Sequence, residues 1–242
     1  MLIGVGFDRG PARRALLILL LLCAASAFAQ ELKVTGVEQY TENRGWNEAG
    51  IGPHFQMIVV ARVSPSGFPT LVYGEQDGVR QAFMHFSQPS TPDLYVLFQR
   101  VEPQSSAPWR VVAERDGIKS APVPTQGLAR AWQVPLATDV RVEGKGAMPR
   151  VIWALPDLGE RAIGRIRVVV RGEPRVHGRF MSALYISDGL PATATSFTIP
   201  NGVLKPGERY VFQVSLEDVE GSEIRNRSMS FSEPYAVSRA KR

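Results

Sequence analysis

The side chains that most often carry catalysis are few and scattered in this 242-residue chain. Its histidines are His54, His85 and His177, and no two of them stand two or four positions apart. Zinc ligands typically show such short spacings, and an acyl-transfer site needs a base beside its nucleophile, often in a Gly-x-Ser-x-Gly turn that is missing here. The sequence therefore predicts a non-catalytic protein with no metal site and no cofactor.

A second group of chemically active residues is the acidic run LEDVEGSE at 216–223. Clustered carboxylates can bind Ca²⁺, and a carboxylate pair can hydrolyse a glycosidic bond. This run, however, falls where two strands must be joined, and the glycine at 221 is typical of such a turn. We interpret the acids as a solvated turn, and spacing selects no catalytic pair elsewhere.

Trp46 is the residue whose surroundings best indicate ligand binding. Polar and small residues flank it in TENRGWNEAGIGPHF, and no apolar alternation assigns it to a core. A flat ring on a loop can stack on a sugar, although packing that anchors the loop is its commoner role. An alternative function rests on Trp46: a glycan-binding or glycan-hydrolysing secreted protein with its site in the N-terminal half.

Residues 1–29 have the features of a secretory signal peptide. Arg13 and Arg14 precede the apolar run 15–22, and the Ala-Phe-Ala at 27–29 fits a cleavage site. The sequence therefore predicts export to the periplasm or beyond, with no transmembrane segment left after cleavage.

Cleavage of this leader would remove Cys23, the only cysteine, with three arginines and one aspartate. The mature chain then has no disulfide and a small positive net charge with both signs interspersed, which gives no support for nucleic-acid binding. Exported chains without cysteine are more typical of bacteria than of animal ectodomains. A lipid anchor on Cys23 remains an alternative, although Leu22 stands where such sites have a small residue. The tail 239–242 is interpreted as solvated basic residues.

Apolar and polar residues alternate along most of the chain, as in half-buried strands. Eighteen prolines and 22 glycines separate the alternating segments, and no window shows a helical stripe. The sequence therefore predicts an all-β protein of sandwich or barrel type. The predicted strands are 32–37, 55–63, 71–73, 80–85, 94–99, 109–113, 151–155, 166–170, 183–186, 196–199, 210–216 and 229–231.

Two β-sandwich-like domains are expected, an N-terminal one at 30–119 and a second at 136–238. The segment 120–135 contains prolines, a glycine and no clear alternation, so we interpret it as a linker. Each unit then has the size of a small sandwich. A single larger sandwich is the alternative.

The stretch VLKPGERYVFQV at 203–214 places a turn, Pro206-Gly207, before a strand that begins with Tyr210. A tyrosine at this position can bury its ring while its hydroxyl binds the backbone a few residues upstream. We therefore expect a tyrosine corner, with Leu204 pointing inward before the turn.

This stretch and three further segments, RVIWALPD, RIRVVVR and RSMSFSEPYAV, together resemble a fibronectin type III domain over about 136–237. The resemblance implies a seven-stranded sandwich with Trp153 on its second strand, packed in the core near Leu204 and Tyr210. Facing cysteines of the antibody type are missing, which favours the fibronectin-like version of the immunoglobulin fold. Residues 30–119 carry no comparable motif.

Together these features favour a binding or structural module of a bacterial cell envelope or secreted assembly. Contact with another envelope or secreted protein would use the loops at one end of a sandwich or a free strand edge. A third interpretation is an assembly subunit whose edge strands polymerise.

Overall fold

The computed structural model describes residues 31–45, 53–67, 70–88, 91–100, 107–128, 132–172 and 183–238. Their strands form three sheets, and none of these residues is helical. The all-β prediction is therefore confirmed. Within these ranges no apolar helix is long enough to cross a bilayer. Several sequence predictions lie outside the described residues: the leader 1–29 with Cys23, Trp46, His177 and the tail 239–242.

The N-terminal half of the chain forms a sandwich of two sheets. Its strands are β1 (Lys33–Arg44), β2 (His54–Ser64), β3 (Leu71–Gln76), β4 (Val79–Ala82), β5 (Met84–Gln88), β6 (Thr91–Arg100), β7 (Arg110–Arg115), β8 (Ile118–Lys119) and β9 (Val123–Pro124). One sheet has the order β1-β2-β6-β5, and the other has the order β4-β3-β7-β8 with β9 also paired to β7.

The C-terminal half forms a second sandwich. Its strands are β10 (Thr138–Glu143), β11 (Arg150–Ala154), β12 (Arg165–Gly172), β13 (Ala183–Ile186), β14 (Ser196–Thr198), β15 (Arg209–Glu220), β16 (Glu223–Phe231) and β17 (Tyr235–Ala236). A three-stranded sheet, β10-β11-β14, faces the four strands β13-β12-β15-β16, and β17 pairs with β15. The seven main strands match the sandwich that the fibronectin-like resemblance implies.

The two sandwiches share one sheet, because β1 pairs with β16 in parallel. The pairing joins Thr41 to Asn226 and continues for four residue pairs, ending with Arg44 and Met229. A continuous sheet of nine strands therefore runs through both halves, from β13 at one edge to β5 at the other. The division into two domains at 120–135 stays a prediction, and the shared sheet is a feature that it did not include.

Each half has its own apolar core, and each core contains a tryptophan. Trp109 packs with the odd positions of β2, and Trp153 packs with Leu204 and Tyr210 in a separate cluster. Space around Trp109 is tight: a Cβ added at Gly74 would lie 2.6 Å from the Cε3 atom of that ring. The odd positions of β2 face this core, as the alternation along the strand predicts.

Several strands differ in extent from the sequence prediction, β10 was not predicted, and β16 begins at Glu223 rather than at 229. Two of the differences decide how the sheets are built. The predicted strand 80–85 is two strands, β4 and β5, which belong to different sheets. Phe83 lies between them and turns into the core, so the chain crosses from one sheet to the other at that residue. Strand β1 continues to Arg44, well past the predicted end at 37, because its polar second half pairs with β16.

Candidate functional site at the junction of the two sandwiches

The inner side of the β1–β16 pairing, which we call the seam, is lined by polar side chains that bind the backbone of the segment 132–135. Asn43 Nδ2 donates to the carbonyl of Val134 over 3.0 Å. Ser228 Oγ donates to the carbonyl of Pro135 over 2.8 Å. These side chains are buried, and a buried amide or hydroxyl needs such a partner to offset its loss of water. The predicted linker is therefore fixed to the shared sheet.

Asn226 has the largest number of these contacts. Its Oδ1 accepts a hydrogen bond from Thr41 Oγ1 over 2.5 Å and another from the backbone N–H of Trp132 over 3.1 Å. Its Nδ2 donates to Asp218 Oδ2 over 2.7 Å. One side chain thus connects both sandwiches and the segment between them, so their relative position is set by specific polar contacts.

The outer side of the seam carries a buried carboxylate, Glu42, with two guanidinium partners. Its Oε1 accepts from Arg44 Nε over 2.5 Å and from Gln56 Nε2 over 3.1 Å. Its Oε2 accepts from Arg227 Nε over 2.6 Å, and the Arg227 guanidinium also lies over the ring of Tyr40. Strands of both halves thus supply the partners of one charge, which is fully buried.

The pKa values of this cluster follow from burial and charge. Burial alone raises the pKa of Glu42, but the charges of Arg227 and Arg44 outweigh it and lower the pKa to about 2. Burial lowers the pKa of Arg227, whereas Glu42 and Tyr40 raise it, and the net change is upward. Glu42 is therefore ionised at neutral pH and cannot serve as a proton donor.

The row of charges continues across the second sandwich. Glu217 stands beside Arg227 in the β15–β16 register, and its Oε2 accepts from Arg165 Nε over 2.5 Å. Arg167 lies 3.7 Å from the same oxygen. Charges of opposite sign thus alternate along the outer side of the shared sheet, from β12 to the seam.

A cleft of about 580 Å³ lies at the end of the seam, where β15 and β16 meet the segment 126–128. It is lined by Asp218, Glu220, Arg225 and Asn226 as well as by that segment. A smaller cleft of about 290 Å³ shares Asp218 and Asn226 and extends to Trp132. The second sandwich and the segment that joins it to the first therefore form one open concave surface with converging polar groups, which makes it a candidate binding site.

Cation contacts order the rim of this cleft. Arg225 donates to Glu220 Oε2 over 3.0 Å and to Gln126 Oε1 over 2.6 Å, which connects the ends of β15 and β16 to the segment after β9. On the other side, the Arg161 guanidinium lies 4.9 Å from the ring centroid of Trp132. The cleft is thus preformed, with its walls held by contacts between the second sandwich and the segment that joins it to the first.

The acidic run at 216–223 is placed differently from the solvated turn that we expected. Glu217 is buried against Arg165, and Asp218 binds Asn226 in the cleft wall. Glu220 and Glu223 both contact Arg225. Glu220 is the last residue of β15 and Glu223 is the first of β16, so these two acids flank the turn at 221–222.

Two of the three histidines lie in described residues and have separate surroundings. His54 lies 3.1 Å from Gln56 Oε1, and His85 lies 3.4 Å from Asp93 Oδ2 with its ring stacked on Tyr95. Across the described ranges, no three His, Cys, Asp or Glu side chains converge as a metal site would require.

The residues singled out from the sequence lie at the far end of the second sandwich. The backbone N–H of Lys205 donates to the Tyr210 hydroxyl over 2.7 Å, which is the bond that defines a tyrosine corner. Pro206 and Gly207 form the turn, and Gly207 has a φ of 82°, which favours glycine. Tyr210 is the second residue of β15 and Asp218 lies near its end, so the corner and the cleft are about 25 Å apart along the strand.

Sequence reasoning missed the residues of the seam and the cleft. Thr41, Glu42 and Asn43 are polar and consecutive, so they show no alternation that would assign them to a buried strand. The available signal was the run TENR itself, whose polar residues can be buried only with matched partners. Those partners, Asn226 and Arg227, stand far away in the sequence.

Comparisons with known proteins find a likeness to solved structures. No family model matches the chain, and no curated protein matches it. Among solved structures, the FN1–FN3 domains of chicken CNTN1 align with 15% identity, covering 75% of this chain and 63% of that chain, with a TM-score of 0.34. The sandwich architecture described above rests on the strand order of this chain.

Proposed function

We propose that this protein is an exported, non-catalytic binding module of the cell envelope that holds another protein in the cleft at the junction. The observation that carries the proposal is the preformed cleft, which the second sandwich and the segment joining it to the first build and which polar contacts hold open. Binding energy is then not lost in ordering the site, because its walls are already fixed.

The lining of the cleft indicates the kind of partner. Asp218 and Glu220 supply acceptors, Arg225 and Arg161 supply donors, and neither sign dominates. Such a mixed surface suits a polar polypeptide segment with donors and acceptors of its own rather than a purely anionic polymer. The cleft also lies at the loop end of the second sandwich, where sandwich domains commonly bind partners.

Export is part of this proposal, since the leader lies outside the described residues. N-terminal sequencing of the protein recovered from the envelope of the producing cell tests it. A chain that begins at Gln30 supports export, and a chain that retains residues 1–29 contradicts it.

A photocrosslinking amino acid at Glu220 tests the cleft. Glu220 is 77% exposed in its side chain and stands at the rim, so a probe there reaches a bound partner without disturbing the core. The matched control is a probe at Met148, which is 54% exposed and lies in the turn between β10 and β11. We expect a defined protein adduct from position 220 in intact cells and none from position 148.

Three results would contradict this proposal in different ways. Equal adducts from both positions would indicate unspecific contact, and no adduct from either would remove the cleft as a protein-binding site. Recovery of polysaccharide instead of protein would favour the glycan-binding alternative and would move its site from Trp46 to the junction.

A further inference from the structure

Strand β5 ends the shared sheet, and its outer side is apolar. Among the described strands it pairs with β6 alone, so its other edge presents unpaired backbone donors and acceptors. Met84 and Phe86 project from the same side of this strand and are 52% and 44% exposed. Natural edge strands usually carry charges or prolines at such positions, because an apolar edge invites pairing with another strand.

The apolar surface does not stop at the edge. Met84 stands beside Val96 in the register, and Phe86 stands beside Leu94 on β6. The ring of Phe86 also meets that of Phe98 edge to face, with centroids 6.4 Å apart. The free edge of β5 therefore lies beside an apolar sheet face. When a further strand adds to such an edge, backbone hydrogen bonds supply affinity and side-chain contacts supply specificity.

We propose that two copies of this chain associate through their β5 strands, in antiparallel orientation around a two-fold axis near His85. In this register Met84 of one copy lies opposite Phe86 of the other on the outer side of the sheet. Thioether and aromatic side chains make favourable contacts, and each pair appears twice by symmetry. The free backbone groups of both edges form the inter-strand hydrogen bonds.

Charge distinguishes this edge from β13, the other edge of the same sheet. Leu184 and Ile186 on β13 are each 53% exposed, so that edge has an apolar pair as well. The neighbouring strand β12, however, presents the charged side chains of Arg167 and Arg171 on the same side, so the apolar surface at β13 does not continue inward. The strand behind β5 presents Leu94 and Val96 instead, so the apolar surface there is continuous across both strands.

Topology disfavours a head-to-tail chain of copies. Strands β5 and β13 run in the same direction through the shared sheet, so joining one to the other with the outer sides of both copies on one face would require a parallel pair. Parallel pairs are slightly weaker per residue, and such a contact does not close. The antiparallel β5 pair closes as a dimer.

Sedimentation equilibrium of the protein purified after export tests the dimer. The inference does not depend on the cleft at the junction, which lies on other strands. We expect a monomer–dimer equilibrium for the natural chain. Phe86→Lys and, as a second variant with a smaller packing role, Met84→Lys should each raise the dimer dissociation constant more than about tenfold, given the apolar area lost.

Ile118→Lys is the matched control, because Ile118 is 65% exposed on β8 in the other sheet of the same sandwich. It should leave the dissociation constant unchanged, and so should Leu184→Lys. A natural chain that stays monomeric at high concentration would overturn the inference. An equal loss of association in Leu184→Lys would also overturn it, since that result indicates head-to-tail contact.

Discussion

The shared sheet has two outer surfaces of opposite character. Over the second sandwich its outer side is ionic, with Arg165 and Glu217 paired and the row ending at Glu42 in the seam. Over the first sandwich the same side is apolar, with Ile58, Val60 and Val96 in one cluster. Away from the seam, the inward sides of both regions are apolar, so the two halves differ mainly in their outer surfaces.

This difference separates two kinds of stabilisation. The ionic region depends on complete sets of partners, since a buried charge that loses its partner keeps its full desolvation cost. The apolar region depends on area removed from water, which any matching surface can supply. The first kind fixes the arrangement of the two sandwiches within the chain. The second leaves an outer surface that is suited to contact with another chain.

Glu42→Ala should give the largest effect, because it leaves the buried Arg227 without its carboxylate. Removing one partner of a buried pair costs about 3–5 kcal/mol, so we expect a loss of that size in the free energy of unfolding from urea denaturation. Glu38→Ala is the matched control: Glu38 pairs with Arg62 on the same strand pair, but both side chains are over 40% exposed. That variant should change stability by less than about 1 kcal/mol.

A double variant sharpens this test. Glu42→Leu combined with Arg227→Met removes both charges, and the resulting loss should be smaller than that of Glu42→Ala. A loss in the double variant as large as the sum of both single changes would mean that the pair is not coupled.

Lowering the pH should cause the second largest loss in the free energy of unfolding, because it protonates Glu42 in the seam. The pKa of Glu42 lies at about 2 in the folded protein against an ordinary value of 4.5, so its contribution is full above pH 4.5 and is lost as the pH falls toward 2. The shift corresponds to about 3 kcal/mol. Urea denaturation between these pH values should show a decline that is reduced in Glu42→Gln. An identical decline in both proteins would assign the acid sensitivity to other carboxyls.

Gly74→Ala tests the core of the first sandwich, which has no ionic support. Its new Cβ would meet the Trp109 ring at 2.6 Å and Phe83 at 3.1 Å. Overpacking of this kind costs about 1–3 kcal/mol, which should lower the urea midpoint. Gly36→Ala is the control, because its nearest neighbour is a side-chain atom of Arg62 at 3.6 Å. Equal midpoints for both variants would contradict the tight packing around Trp109.

Tyr210→Phe should have the smallest effect of this series. It removes only the hydroxyl that accepts from the Lys205 N–H, and loss of that bond should cost about 1–2 kcal/mol. Tyr235→Phe is an instructive companion, since its hydroxyl binds the carbonyl of Gly146 over 2.8 Å but its side chain is more exposed. An unchanged urea midpoint for Tyr210→Phe would mean that the hydrogen bond of the corner does not stabilise the folded protein.

The sequence by itself determined the all-β class and the inward residues of the main strands of the second sandwich, although it left out β10 and most of β16. Successive side chains of a strand point to opposite faces, so every second residue along 166–170 and 210–216 faces the core. Alternation in the sequence therefore identifies these inward residues. The tyrosine corner is equally local, since its turn, its acceptor and its donor lie within six residues.

Only the tertiary structure decided the seam, the cleft and the free apolar edge. Residues 41–43 are buried where β1 pairs with a strand 185 positions away, and no local pattern states which distant strand will supply Arg227 to Glu42. The edge of β5 depends in the same way on sheet order. Periodicity is a property of neighbouring residues, whereas partner choice between strands is set by long-range packing and matched charge.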